Sequence, residues 1–248
     1  MQPLFKLTIG GQPMMTIARP DMIRPGMFGG IVSADTRRNV FDYHNEVIIS
    51  HQAKIDFLFI GDSITDMWDI ETYFGGNGKR ILNRGIGGDM TPYLLRRFTA
   101  DCVQLKPKYA IILIGVNNTW ALDAWREIDR TAPEQVQAEI VNDILEMVKL
   151  AKDNGIAPIV CSILPTRIDT NKQTNERNEL IININKQLRE EADGQNIPFV
   201  DYHSYLVDKD GKTLLPGLAE DGLHPHVLGY NIMAEALRKE LIKYDIHI

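Results

Sequence analysis

The sequence predicts an α/β protein built on a parallel sheet with helices on both faces. Two observations point there. From Lys54 onward, short apolar runs such as Phe57-Leu58-Phe59-Ile60 alternate with longer amphipathic stretches. The short runs are apolar nearly throughout, as in strands buried on both sides, and strands separated by helices pair in parallel.

The elements follow in order. A first strand over Ile55–Ile60 runs into the glycine-led turn Gly61-Asp62-Ser63, after which Ile64, Asp66, Met67 and Trp68 read as a helix start. A second strand, Arg80–Asn83, leads into the glycine loop Gly85–Gly88. Thr91-Pro92 opens a helix, since proline suits the first turn. A third strand, Tyr109–Ile114, runs into Gly115–Asn118. Thr131-Ala132-Pro133-Glu134 has the form of a capping box, and Val136, Ile140, Ile144, Val148 and Ala151 carry a helix to Gly155. A fourth strand spans Ala157–Leu164, and Leu180, Ile184 and Leu188 mark a helix ending near Gly194. A fifth strand spans Pro198–Asp201, and Tyr230, Met233, Leu237 and Leu241 mark the last helix.

Residues 1–53 differ. Met14, Met15, Met22 and Met27, with Pro20, Pro25 and several glycines, give no clear period but are too apolar for a disordered tail. We expect an N-terminal arm that packs on the domain of residues 54–248 or on a partner subunit, where it would be the contact of a homo-oligomer.

With 248 residues, 44% hydrophobic and 24% charged, the chain has ample material for a core. A net charge of −6 argues against nucleic acid and anionic membranes as partners, since both call for a basic face. No run approaches a membrane span, and Met1-Gln2-Pro3-Leu4-Phe5-Lys6 does not read as a signal peptide. Cys102 and Cys161 form no Cys-x-x-Cys, and two free thiols fit a reducing, cytoplasmic compartment.

In parallel sheets the site lies beyond the carboxyl ends of the strands, so the loops at Ser63, Gly85–Gly88 and Gly115–Asn118 are expected on one rim. A serine hydroxyl at a strand-to-helix turn is exposed, but it is a poor nucleophile without an adjacent base. Asp221-Gly222-Leu223-His224-Pro225 supplies a candidate base, His224, and a carboxylate, Asp221, to orient it. Acyl transfer also needs oxyanion donors. The Ser63 N–H, the Asn83–Asp89 loop and an asparagine side chain from Gly115-Val116-Asn117-Asn118 are candidates. Trp68 and Trp120 follow the first and third loops and are candidate apolar or sugar-stacking walls. His226 extends the cluster to Asp-x-x-His-x-His, a second reading as a metal site. Gly85-x-Gly87-Gly88 is not a dinucleotide fingerprint, and His203 reads as structural.

In order and spacing, Gly61-Asp62-Ser63, Gly88, Asn117 and Asp221-x-x-His224 resemble the four blocks of the SGNH (GDSL-type) hydrolases, from about Lys54 to the C-terminus. Gly-Ile-Gly-Gly-Asp and Gly-x-Asn-Asn are most similar to the branch of platelet-activating-factor acetylhydrolase Ib catalytic subunits and bacterial carbohydrate acetylesterases. The resemblance implies a three-layer α/β/α sandwich with a five-stranded parallel sheet in flavodoxin-like order. It implies Ser63 as nucleophile, His224 as base, Asp221 as its partner, and Ser63 N–H, Gly88 N–H and Asn117 as oxyanion donors. It implies no metal and no organic cofactor. Asn118 stands where many members carry Asp. The expected activity is a serine esterase removing small acyl groups, acetyl above all, from carbohydrate or related small-molecule or oligosaccharide esters. A lysophospholipase or thioesterase with the same triad, a metal-dependent phosphoesterase using Asp221, His224 and His226, and a silent binding module are the alternatives.

Overall fold

The structure, a computed structural model, describes residues 8–9, 12–13, 19–123, 126 and 129–248. Five strands form the sheet: β1 (Phe57–Gly61), β2 (Ile81–Gly85), β3 (Tyr109–Leu113), β4 (Ala157–Cys161) and β5 (Phe199–Val200). Their order is β2-β1-β3-β4-β5, with every pair parallel, which is the expected flavodoxin-like sandwich. The chain steps from β1 to β2 one way and then back across to β3. That reversal opens a crevice beyond the ends of β1 and β3, the usual place for a site in such sheets. All of β1 is buried.

Around the sheet lie α1 (Arg38–Ser50), the one-turn α2 (Ser63–Asp66), α3 (Ile70–Phe74), α4 (Thr91–Asp101), α5 (Pro133–Asp153), α6 (Thr174–Gly194), α7 (Tyr202–Leu206) and α8 (Val227–Ile242). In one layer α1 packs on α4, α4 on α5 and α5 on α6. In the other, Trp68 after α2 meets Tyr202 of α7 and Tyr230 of α8. The apolar face of α5 is the expected one: Val136, Ile140, Ile144, Val148 and Ala151 are all buried.

Two local expectations are corrected. The capping box at Thr131 does not form. Pro133 opens α5, so the preceding Ala132 is driven to an extended conformation (φ −61, ψ 139) and becomes the N-cap, with no side-chain cap bond. The fourth strand stops at Cys161, short of Leu164, because Asn185 of α6 takes over the backbone of Ile163: its side chain accepts from the N–H at 2.7 Å and donates to the carbonyl at 2.9 Å.

Before the sheet, Thr8–Ile9 pairs antiparallel with Gln12–Pro13, and a 3₁₀ turn at Ser33–Asp35 leads into α1. Met14 and Met15 lie outside the described residues, as do 124–125 and 127–128 of the Trp120–Arg130 stretch. The described segment ahead of α1 packs on α4: the Phe28 ring meets Tyr93 edge-on at 5.8 Å under the Arg96 guanidinium. From α1, Arg38 reaches Asp101 of α4 with two bonds (2.7 and 2.5 Å), and Asn45 donates to Asp101 at 3.1 Å. Among the described residues no helix is long and apolar enough to cross a membrane.

Candidate active site

Ser63 opens α2 directly beyond β1. Asp62 caps this turn, its buried side chain accepting the Ile64 N–H at 2.9 Å. Burial pushes the Asp62 carboxyl up to about 7; the charge of Asp89 adds to this and the Ile64 N–H opposes it. Ser63 is 7% exposed.

His224 arrives from the loop ahead of α8. Its Nε2 lies 2.8 Å from Ser63 Oγ and its Nδ1 2.6 Å from Asp221 Oδ2. The other oxygen of Asp221 accepts the backbone N–H of Leu223 at 2.9 Å and of His224 at 2.8 Å. Partial burial alone would raise the Asp221 carboxyl. The bonds from the His224 backbone and ring and from the Leu223 N–H outweigh it and hold the group below its ordinary value, as a carboxylate. The loop is pinned at Gly222 (φ +76), where a Cβ would stand 1.8 Å from the Arg167 carbonyl oxygen. Arg167 N–H donates to the Gly222 carbonyl at 2.7 Å, so only glycine fits.

Two contacts join the halves of the cluster. The Tyr230 hydroxyl of α8 donates to the Ile64 carbonyl of α2 at 2.8 Å, and the Tyr230 ring stacks on Trp68 at 5.3 Å. This corrects the expectation for Trp68. At 2% exposure, between Phe59, Phe74, Tyr202 and Tyr230, its ring is a core strut that fixes α2 against α8, not a wall open to a ligand. Trp120 is 38% exposed, with the buried Arg177 guanidinium 4.2 Å from its ring centre.

The second and third loops do reach the same rim. A methyl group on Gly87 would lie 4.0 Å from Ser63 Cβ. Asn117 starts a 3₁₀ turn after β3, and its side-chain amide donates to the Asp89 carbonyl at 2.9 Å, which ties the two loops together. Beneath them sits Arg97, fully buried. It donates to Asp89 (2.9 Å), Asp101 (3.1 Å) and the carbonyls of Gly61 (3.1 Å) and Arg84 (3.0 Å), at the ends of β1 and β2. Sequence reasoning did not single out Arg97, because an arginine in an amphipathic helix reads as a surface residue. Only the carbonyls it meets in the fold reveal its place.

Asn118 is buried and fully used. It accepts the Thr91 N–H at 3.2 Å, the start of α4, and donates to Thr91 Oγ1 at 2.9 Å and to Glu139 Oε1 at 2.8 Å. His226 caps α8, its Nδ1 accepting the Leu228 N–H at 3.2 Å. Among the described residues no group of three or more His, Cys, Asp or Glu side chains is placed to hold a metal ion. His203 is mostly buried, its N–H bound to Ser162 Oγ at 2.8 Å, and burial lowers the pKa of its ring.

The model of the GDSL-like lipase/acylhydrolase family matches residues 59–232, a span that contains Ser63, Gly88, Asn117, Asp221 and His224. The chain belongs to this family. It is a carboxylic ester hydrolase. An acetylxylan esterase of Geobacillus stearothermophilus is 30% identical over 213 residues, 74% of this chain and 92% of that one. A crystal structure of an acetylxylan esterase from the same organism is similar with a TM-score of 0.58 at 25% identity, over 75% of this chain and 94% of that one. The crystal structure of a GDSL-like lipase from Bacteroides thetaiotaomicron is similar with a TM-score of 0.66 and 26% identity, covering 82% of this chain and 99% of that one. An uncharacterised lipoprotein of Bacillus subtilis is 26% identical over 167 residues, 58% of this chain and 63% of that one.

Proposed function

We propose that this GDSL acylhydrolase is a serine esterase that removes acetyl groups from carbohydrate or related small-molecule esters. The observation that carries the reading is the unbroken chain Ser63 Oγ, His224, Asp221, with links of 2.8 and 2.6 Å at the end of β1. His224 Nε2 takes the Ser63 proton as Oγ attacks the ester carbonyl. Asp221 receives the Nδ1 proton in a hydrogen bond, which selects the tautomer and stabilises the imidazolium. Charge on the carbonyl oxygen is met by the N–H groups of Ser63 and Gly88 and the side-chain amide of Asn117. His224 then gives its proton to the departing alcohol oxygen, leaving acetyl on Ser63. A water molecule, deprotonated by His224, attacks that acyl-enzyme and releases acetate, and the proton returns to Ser63.

His226 supports the serine reading over the metal one, because its Nδ1 is committed to the helix cap. The similarity to an acetylxylan esterase supports acetyl on a sugar. Trp120, on the rim turn with Asn117, is a candidate stacking surface in this reading.

The test is a chain-length series of p-nitrophenyl esters with wild type and Ser63→Ala. Acetate fastest, with the variant slower by several orders of magnitude, supports the proposal. Retained activity in Ser63→Ala refutes the mechanism, and faster cleavage of long acyl chains refutes the acetyl preference in favour of a lysophospholipase or thioesterase.

A further inference from the structure

The placement of His224 also sorts the two halves of the ester. In the reaction proposed above, on which this inference rests, His224 protonates the alcohol oxygen as it leaves, so the alcohol half must lie on the His224 side of Ser63. The loops of Gly88 and Asn117 follow β2 and β3, and in that reaction they serve the carbonyl oxygen. On the His224 side a groove runs between the nucleophile turn and the start of α8, lined by Met67, Glu220, His224, His226 and Val227.

This groove has two kinds of surface. Met67 and Val227 give it an apolar surface, at 59% and 63% exposure. Asp221 also lines it, but its carboxylate is committed to the Leu223 and His224 N–H groups and the His224 ring, so the uncommitted polar surface comes from His226 and Glu220. Because His226 Nδ1 accepts the Leu228 N–H, the neutral ring carries its proton on Nε2, which is left as a donor. Glu220 is exposed, and among the described residues its carboxylate has no hydrogen bond or ion pair, so it is an acceptor in waiting. Apolar contact flanked by one donor and one anionic acceptor complements a sugar ring, which has C–H faces and hydroxyl edges. An aliphatic chain seated there would strip water from Glu220 and His226 and return no hydrogen bond.

We propose that this groove is the subsite for the alcohol half of the substrate and takes a hydroxylated sugar ring. Met67 and Val227 meet its C–H face, Glu220 accepts from one hydroxyl, and His226 Nε2 donates to another.

The test compares acetylated xylo-oligosaccharides with p-nitrophenyl acetate, whose alcohol half has no ring hydroxyls. Wild type, Glu220→Ala, Glu220→Gln, His226→Asn and Ser63→Ala are assayed on both; asparagine keeps a cap for α8. For Glu220→Ala and His226→Asn, kcat/KM on the sugar ester is expected to fall at least ten-fold further than on p-nitrophenyl acetate, mainly through KM. Glu220→Gln, which retains an acceptor, recovers part of that loss. If wild type cleaves both substrates and the variants lose activity on both in equal proportion, the groove assignment alone is overturned. If wild type cleaves p-nitrophenyl acetate but no acetylated sugar, the sugar class and the groove fall together. Retained activity in Ser63→Ala instead overturns the serine mechanism, and the groove with it.

Discussion

Replacing Asp62 by asparagine should stabilise the fold at alkaline pH and change it little in acid. The carboxyl is buried beside Ser63 and titrates at about 7 in the folded protein, against about 3.9 in an unfolded chain. Between those values the folded state holds a proton that the unfolded state has released. Stability therefore falls as pH rises through this window: the penalty is absent below about pH 4 and complete above about pH 7. A window of about three pH units, at about 1.4 kcal/mol per unit, gives about 4 kcal/mol. Asparagine keeps the side-chain oxygen that accepts the Ile64 N–H at 2.9 Å and has no charge to bury. Urea unfolding of both proteins at about pH 4.5 and about pH 8.5 reads the effect directly. The advantage of Asp62→Asn should grow by several kcal/mol between the two conditions. An advantage that does not change with pH would show that this carboxyl is not held in its acid form by the fold.

Three further outcomes are expected. Gly88→Ala forces a side chain into a left-handed conformation (φ +75), with its Cβ 2.6 Å from Ser33 Oγ; if its N–H serves the oxyanion as proposed, shifting this loop should lower kcat by about a hundred-fold, and wild-type turnover would refute that role for Gly88. Asn118→Asp loses both donations and sets a carboxylate against Glu139; it should cost about 2 kcal/mol in urea unfolding at neutral pH. Adding Glu139→Gln should recover much of that loss, and the absence of coupling in the double-mutant cycle would count against the contact. Asp221→Asn can turn its amide toward His224 Nδ1 and favour the wrong tautomer, so kcat should drop by roughly a thousand-fold or more with the circular dichroism unchanged; a loss below ten-fold would mean the carboxylate is not needed.

Much of this molecule was readable before its fold was known, and the exceptions share a cause. The strands announce themselves because a buried parallel strand must be apolar on both faces, as Phe57-Leu58-Phe59-Ile60 is. The start of α5 departs from the capping pattern because Pro133 holds Ala132 extended and makes it the N-cap in place of Thr131. The helix α1 escaped detection because its buried positions are Arg38, Phe41 and Asn45, two of them polar, while Val40, Tyr43 and Val47 face outward at 46%, 68% and 43% exposure. Its inward stripe, Phe41 followed by the part-buried Ile48 and Ile49, is broken by those two polar residues. Arg38 is interior because Asp101 waits across the interface, and Asn45 because Asp101, the Ala100 carbonyl and the Arg84 guanidinium do.

By itself the sequence determined the chemistry available: a serine after a glycine-led turn, a histidine three residues beyond an aspartate, and glycines and asparagines at the ends of apolar runs. Those are local properties, written in residue type and spacing. Distance was settled only by the tertiary structure. Ser63 and His224 are 161 positions apart, and they meet at 2.8 Å because α8 is stacked and hydrogen-bonded onto α2 through Tyr230 and Trp68. The same packing decided which tryptophan is a strut and which stands at the surface. Residue type carries the capacity to react or to pack; the neighbours that folding brings decide which of the two is used.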